Sequence, residues 1–259
     1  MRAMFKRFFA KFRIGLCYFL FALANIVFAA VIGICLILSL FGLRDYRKKI
    51  NSALRIIVRL LSIIIFPRVG SYKVKIDGLE NIQKTPSIYT FNHISLLDPL
   101  FAISIIPNAA VVVKGKYDSI PAIWLLTRFF DFISTGDGTR SDIELAMGKI
   151  SDAVGRGCNL IVFPEGTRMS GERLGDFKSM AFRLSRRTGI DIVPAAIVSS
   201  EPVFTRGTPL LPEKTGFAFH IKILPPLSPS DFNSADSLAA KAFRVISAEC
   251  KVMREAKKS

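Results

Sequence analysis

From Ile14 to Leu43 thirty consecutive positions carry no charge, well beyond the ~18 apolar residues that mark a membrane helix. Arg2, Lys6, Arg7, Lys11 and Arg13 precede this run, and Arg44, Arg47, Lys48 and Lys49 follow it. Three readings fit the pattern. A single span would be about 45 Å long against a hydrocarbon core of roughly 30 Å, so it must tilt. A helical hairpin would place both basic flanks on the cytoplasmic side, which they prefer, with Asn25 marking the bend. A cleaved leader would end near Ala22-Leu23-Ala24, although the apolar run continues well past that point.

Residues 47–66 alternate differently. Lys48, Arg55 and Arg59 interrupt an apolar pattern at helical spacing. This predicts either a basic amphipathic helix lying in the interface or an ordinary helix of the core, ended by Pro67.

After Tyr72 the period changes. Short apolar runs at Tyr72–Ile76, Ser87–Phe91, Ala109–Val113, Leu160–Phe163, Ile192–Ile197 and Phe217–Ile223 read as strands. Between them, Pro99–Ile106, Pro121–Phe130, Asp142–Val154, Phe177–Thr188 and Ser237–Glu255 read as helices, with Gly189 capping the fourth. Strand–helix alternation of this kind predicts an α/β domain, its mixed, largely parallel sheet covered by helices, behind an N-terminal membrane-embedded helical segment. The chain divides into 1–66, the membrane-anchoring part, and 67–259, the α/β domain.

Composition sharpens the membrane reading. The chain of 259 residues is 51% hydrophobic yet has a formal net charge of +16. Residues 1–59 hold eleven Lys/Arg against one acid, Asp45. Most of the excess positive charge therefore lies beside the most apolar segment. Juxtamembrane Lys and Arg gain about 1 kcal/mol each from anionic headgroups, so membrane lipids, not nucleic acid, are the expected anionic partner. The phenylalanines crowd the apolar runs, whereas a nucleic-acid surface needs aromatics interleaved with basic residues. Four cysteines without C-x-x-C or a Cys/His cluster argue against a zinc site or a disulfide framework, and no metal-ligand spacing occurs.

Only two histidines are present, His93 and His220. His93 follows an apolar strand pattern in Asn92-His93-Ile94-Ser95-Leu96-Leu97-Asp98-Pro99. Histidine suits general-base work near neutral pH, and a carboxylate on its second nitrogen fixes the tautomer. On one helix His93 and Asp98 would stand about 140° apart. The pairing works if His93 leaves a strand and Asp98 opens the next helix, with Pro99 at a first-turn position. The alternative is that Asp98 is only an N-cap.

A second constellation, Phe163-Pro164-Glu165-Gly166-Thr167-Arg168, directly follows another strand pattern. Ligands collect at such strand ends in open α/β sheets. Gly166 permits close backbone approach, and Arg168 offers a planar fork for phosphate or carboxylate. Glu165 would orient Arg168 or bind a substrate hydroxyl; a turn with a local ion pair is the bland alternative.

These two blocks, in this order and about 70 residues apart, resemble the glycerophospholipid acyltransferase family, typified by lysophosphatidate acyltransferases. Val193-Pro194-Ala195-Ala196-Ile197 is similar to the family's fourth block, and Lys114 to the start of its second. The resemblance spans about residues 72–225. It implies that His93, oriented by Asp98, deprotonates an acceptor hydroxyl that attacks an acyl thioester directly, without an acyl-enzyme. The donor would be acyl-CoA or acyl carrier protein, a co-substrate, with no cofactor and no metal. The acceptor's phosphate would rest on Lys114, Glu165, Gly166, Thr167 and Arg168, with Pro194 in the site wall. Where the second block usually ends in an arginine, this chain reads Ser134-Thr135-Gly136-Asp137-Gly138-Thr139-Arg140, which makes Arg140 the candidate replacement. Phe177-Lys178 likewise runs into Ser-Met-Ala instead of the customary glycine-containing stretch.

The implied reaction is 1-acylglycerol-3-phosphate to phosphatidate at a membrane, on the cytoplasmic face of the inner or plasma membrane. Another lysophospholipid or hydroxylated lipid is the alternative acceptor. A non-catalytic membrane lipid-binding protein is the alternative class. A serine hydrolase would need a G-x-S-x-G elbow and a nucleotide enzyme a glycine-rich phosphate loop; neither occurs.

Overall fold

The computed structural model describes residues 2–40, 55–115, 132–169, 173–205, 212 and 215–256. The expected helix at Pro121–Phe130, residues 47–54 of the expected amphipathic helix and the end of the apolar run, 41–43, lie outside the described residues.

Helix α1, Arg2–Leu40, is continuous for 39 residues, about 58 Å at 1.5 Å per residue. Its backbone passes through Asn25 without a break, so the hairpin bend expected there is absent. Among the described residues no helix is long and apolar enough to cross a membrane. The chain is helical again over residues 55–70. A π-helical stretch, Leu60–Ile65, leads into a short helix, α2, Phe66–Gly70. Pro67 therefore does not end the helix, as the sequence had suggested. It takes a first-turn position of α2, where its missing N–H costs nothing, and the Phe66 N–H reaches back to Leu61 O across the widened turn. Ser71, left-handed at φ 52°, then turns the chain into the sheet.

Seven strands form one sheet: β1 Tyr72–Asp77, β2 Ile88–Phe91, β3 Ala109–Val113, β4 Phe132–Ser134, β5 Asn159–Val162, β6 Ile192–Ser199 and β7 Phe217–Ile223. The order is β1-β7-β6-β2-β5-β3-β4. From β6 to β4 every neighbour is parallel. β7 runs antiparallel to β6, and β1 parallel to β7. The sheet is mixed and largely parallel, as expected, with β4 as an added three-residue edge strand. The interior strands β2 and β5 are buried at every position, the pattern of a sheet covered on both faces. The helices flanking them are α3 Asp98–Ile105, α4 Arg140–Gly155, α5 Met180–Thr188 and α6 Ala235–Glu255. Gly189, at φ 73°, caps α5.

One cluster of buried side chains, with Tyr89, Phe91, Phe101, Val193 and Phe219, fills the α3 side. Another, with Ile88, Leu160, Ile150, Phe182 and Leu238, fills the side covered by α4, α5 and α6. Pro194 sits inside β6, a position normally closed to proline because a ladder bond is lost. Its carbonyl accepts from Leu224 N at 2.8 Å, and the β7 pairing begins only at Ala195 opposite Ile223. The missing N–H thus falls where the ladder is already interrupted.

Beyond Phe91 the β2–β6 ladder continues through a side chain. Buried Asn92 donates from Nδ2 to Ile197 O at 2.9 Å and accepts at Oδ1 from Ile197 N at 2.7 Å. The amide does the work of one more peptide unit and pins the chain immediately before His93. Replacing Asn92 with Ala strands a buried N–H and a buried C=O. Unfolding by denaturant should show a loss of about 2–4 kcal/mol, with the m-value unchanged.

Candidate active site

The parallel strands β2, β5, β3 and β4 end on the same edge of the sheet, and each delivers a loop there. His93 follows β2, the Phe163–Arg168 segment follows β5, Lys114 follows β3, and Thr135-Gly136 follows β4. Gly115 N donates to Gly136 O at 3.0 Å and Thr135 N to Val113 O at 2.9 Å, which ties the last two loops together. The placement follows the rule that open α/β sheets gather ligands at carboxyl ends.

His93 Nδ1 lies 2.8 Å from Asp98 Oδ2. The same oxygen accepts from Ile94 N and Ser95 N, each at 2.7 Å. Asp98 is therefore not the cap of the helix it opens; Leu97 holds the N-cap position, without a side-chain bond. The carboxylate instead folds the loop before it into a tight ring and holds the imidazole in it. Asp98 is fully buried and faces Nδ1, which leaves Nε2 as the ring nitrogen turned away from the carboxylate. The Phe163 ring packs 4.5 Å from the imidazole centroid at a 37° tilt, restricting the ring from one side. Ser95 Oγ accepts from Leu97 N at 3.2 Å and serves the loop. His220 pairs with Asp77 at 2.7 Å, on the β1–β7 side of the sheet.

The two sequence blocks meet at the backbone of His93. Its N–H donates to Glu165 Oε1 at 2.8 Å, and its carbonyl accepts from Met169 N at 2.8 Å. The second oxygen of Glu165, Oε2, accepts from Gly175 N at 2.7 Å. In these contacts Glu165 does not orient Arg168, one of the two roles read from sequence. It is a buried bridge between the loops of β2 and β5 and the segment before α5. Burial pushes its carboxyl above the usual range, against the two N–H donors and the nearby His93, which pull it down.

Arg168 is also engaged: Nη1 donates to Phe204 O at 2.7 Å, and the same carbonyl accepts from Leu96 N at 3.3 Å. Gly166 adopts φ 64°, a left-handed conformation that costs other residues about 1–2 kcal/mol. A Cβ built there would lie 2.8 Å from Lys114 Cε, 3.3 Å from Lys114 Nζ and 3.4 Å from Lys178 Cε. Two lysine side chains therefore converge over this glycine, with half-buried Thr167 beside it. The sequence reading named Lys114 but missed Lys178, whose signal was present in Phe177-Lys178. Arg140 is not brought into this group. It is 94% exposed at the start of α4, where Nε meets Glu144 Oε1 at 3.1 Å.

Behind the site, Cys250 of α6 places Sγ 3.8 Å from Asn92 Oδ1. Burial pushes its thiol up to about 12, so it is a packing residue and not a nucleophile.

Residues 73–198 match the family described as Acyltransferase. Over 167 residues, 63% of this chain, the sequence is 30% identical to a chloroplast 1-acyl-sn-glycerol-3-phosphate acyltransferase of Arabidopsis thaliana, covering 45% of that protein. A Brassica napus counterpart is 31% identical, with 46% of its length covered. The chain thus spans about half the length of these plant relatives. A probable 1-acyl-sn-glycerol-3-phosphate acyltransferase of Mycoplasma pneumoniae is 25% identical over 88% of this chain and 91% of its own. The crystal structure of the 1-acyl-sn-glycerophosphate acyltransferase of Thermotoga maritima shares the fold at a TM-score of 0.69, 21% identical, over 98% of this chain and 96% of that one.

The raised Glu165 carboxyl makes a pH prediction. An acid whose folded value is raised supports the fold fully only below its unfolded value, and loses that support as pH rises through the folded value. Glu165→Gln keeps the shape but cannot ionise. The stability of the parent relative to the Gln variant should therefore fall as pH rises from about 4.5, on top of a constant offset for the lost acceptor. Parallel denaturation curves at pH 4, 6 and 8 that differ by the same amount throughout would contradict this origin of the shift.

Proposed function

From the match of residues 73–198 to the family described as Acyltransferase, we propose that the chain transfers a fatty acyl group from an acyl thioester to the free hydroxyl of 1-acylglycerol-3-phosphate, giving phosphatidate. The observation that carries this reading is the His93–Asp98 pair at the ends of parallel strands, beside a glycine crowned by lysines. A base and an anion site share one strand edge, which is what acylation of a phosphorylated alcohol needs.

The chemistry follows from the atoms. His93 Nε2 takes the acceptor's hydroxyl proton while the oxygen attacks the thioester carbonyl. Asp98 stabilises the imidazolium that forms. The attack forms the new C–O bond, and collapse of the tetrahedral intermediate restores the carbonyl and breaks C–S. The thiolate leaves with a pKa near 8.5, and the proton on His93 returns to it. The donor thiol is that of CoA or of an acyl carrier protein.

The apolar helices support a membrane location for this work. Phe8, Phe12, Phe19 and Ile26 of α1 are more than half exposed, and Ile56, Leu60 and Ile64 on residues 55–65 also face outward. α1 packs on α2, which directly follows residues 55–65. α1 also reaches the site's rim: Tyr18 packs edge-on to Phe204 at 6.3 Å, and Arg13 donates to Pro212 O at 3.1 Å. Residues 55–65 pack on α3, the helix that Asp98 opens, through Ser62 and Ser104 at 2.7 Å. A bilayer covering these faces would put the strand edge at the level of the lipid headgroups.

Two experiments test the proposal. Detergent-purified protein given lysophosphatidate and acyl-CoA or acyl carrier protein thioester should release phosphatidate, and His93→Ala should lose at least about 10³-fold in kcat with the fold intact. Transfer only to lysophosphatidylcholine or another hydroxylated lipid would move the acceptor; no transfer to any would end the enzymatic reading. Separately, Phe12→Asp with Phe19→Asp should weaken flotation with anionic vesicles by more than tenfold, because burying each ring is worth about 1.5–3 kcal/mol. Undiminished flotation would remove α1 from the membrane contact.

A further inference from the structure

Phe204 stands where a phenylalanine is rarely tolerated. It lies in the connection from β6 to β7, and its φ of 49° is left-handed. Bulky side chains avoid that region because Cβ crowds the following carbonyl. The Phe204 carbonyl oxygen serves both sequence blocks of the site. Arg168 Nη1 donates to it at 2.7 Å and Leu96 N at 3.3 Å. Leu96 belongs to the loop between His93 and Asp98, whose Ile94 and Ser95 N–H groups go to Asp98 instead. We propose that Phe204 is a positioning residue. Its left-handed backbone, held by the Tyr18 ring of α1, aims this oxygen at the His93 loop and at Arg168 together, so the seating of α1 sets the geometry of the site.

Strain of this kind persists only where the surroundings over-determine it. Val203, fully buried, fixes the chain immediately before Phe204, and Ser199 Oγ shapes the turn out of β6 by donating to Glu201 O at 2.6 Å. The Phe204 side chain packs on the cluster that fills the α3 side. Its ring meets Tyr18 edge-on, with centroids 6.3 Å apart and planes at 83°, a favoured aromatic geometry. The Tyr18 hydroxyl is buried and has no hydrogen-bond partner among the described residues, so what Tyr18 offers Phe204 is its ring. Earlier on α1, Arg13 donates to Pro212 O at 3.1 Å, a second hold of the same helix on the same connection. A Phe204 free to take a negative φ would rotate its peptide and withdraw the oxygen. Arg168 and Leu96 would lose it together, because they share it.

The inference rests on the acyltransferase reading for its kinetic consequence alone; amide hydrogen exchange reads the structural one. In the whole chain purified in detergent, Tyr18→Ala should speed exchange of the Leu96 amide about tenfold, the order of the left-handed penalty once it is unopposed. Ile94 and Ser95, held by Asp98, should stay as protected as in the parent. Tyr18→Phe should match the parent throughout. Acyl transfer from acyl-CoA to lysophosphatidate should fall about tenfold in kcat/KM with Tyr18→Ala, while flotation with anionic vesicles is unchanged.

Glycine takes a positive φ without help. In the Phe204→Gly background, Tyr18→Ala should therefore cost less than about twofold, in exchange and in transfer alike. An equal cost in both backgrounds would overturn the proposal. So would a Leu96 amide as slow in Tyr18→Ala as in the parent, or a Tyr18→Phe variant as impaired as Tyr18→Ala. Selective release of Leu96 in a protein that transfers no acyl group would uphold the positioning role and end only the enzymatic reading.

Discussion

The site hangs on one buried carboxylate. Glu165 accepts from the backbone of His93 through one oxygen and from Gly175 through the other. Burying an ionised carboxylate costs several kcal/mol unless donors replace its water, and here two peptide N–H groups do so. The cost explains why its carboxyl is held above the usual range, and the geometry explains why the cost is tolerated. Without this bridge, the loop of β2 and the segment before α5 would share no charged tie, and Met169 N on His93 O would be left as a link between the two loops. Glu165 is thus a positioning residue.

The sheet topology makes that bridge possible. β5 enters between β2 and β3 although it comes after both in the chain, so its following loop emerges directly between His93 and Lys114. The reversal at β6–β7 has a second effect. β6 continues past the end of β2, and Asn92 converts this overhang into two more hydrogen bonds. α6 then closes behind it with Cys250 against Asn92. From β6 to β3, each neighbouring element fixes the backbone of one residue close to His93.

How much of this could be read in the sequence depends on what each residue signals. Strands buried on both faces announce themselves as unbroken apolar runs, as β2 and β5 do, and β7 announces itself by alternation instead; β3 and β7 were bounded correctly and the other expected strands to within two residues. Edge strand β4 has three residues, too few for a period to emerge. His93 and Asp98 were legible as a pair because base chemistry restricts the residue types and the strand-to-helix step supplies the distance. Glu165 and Arg168 were visible as important but their partners were not. Both bind backbone groups, the N–H of His93 and of Gly175 and the carbonyl of Phe204, and a backbone partner leaves no mark in a sequence. The proline at 67 misled because its usual effect on a helix was absorbed by a π-turn.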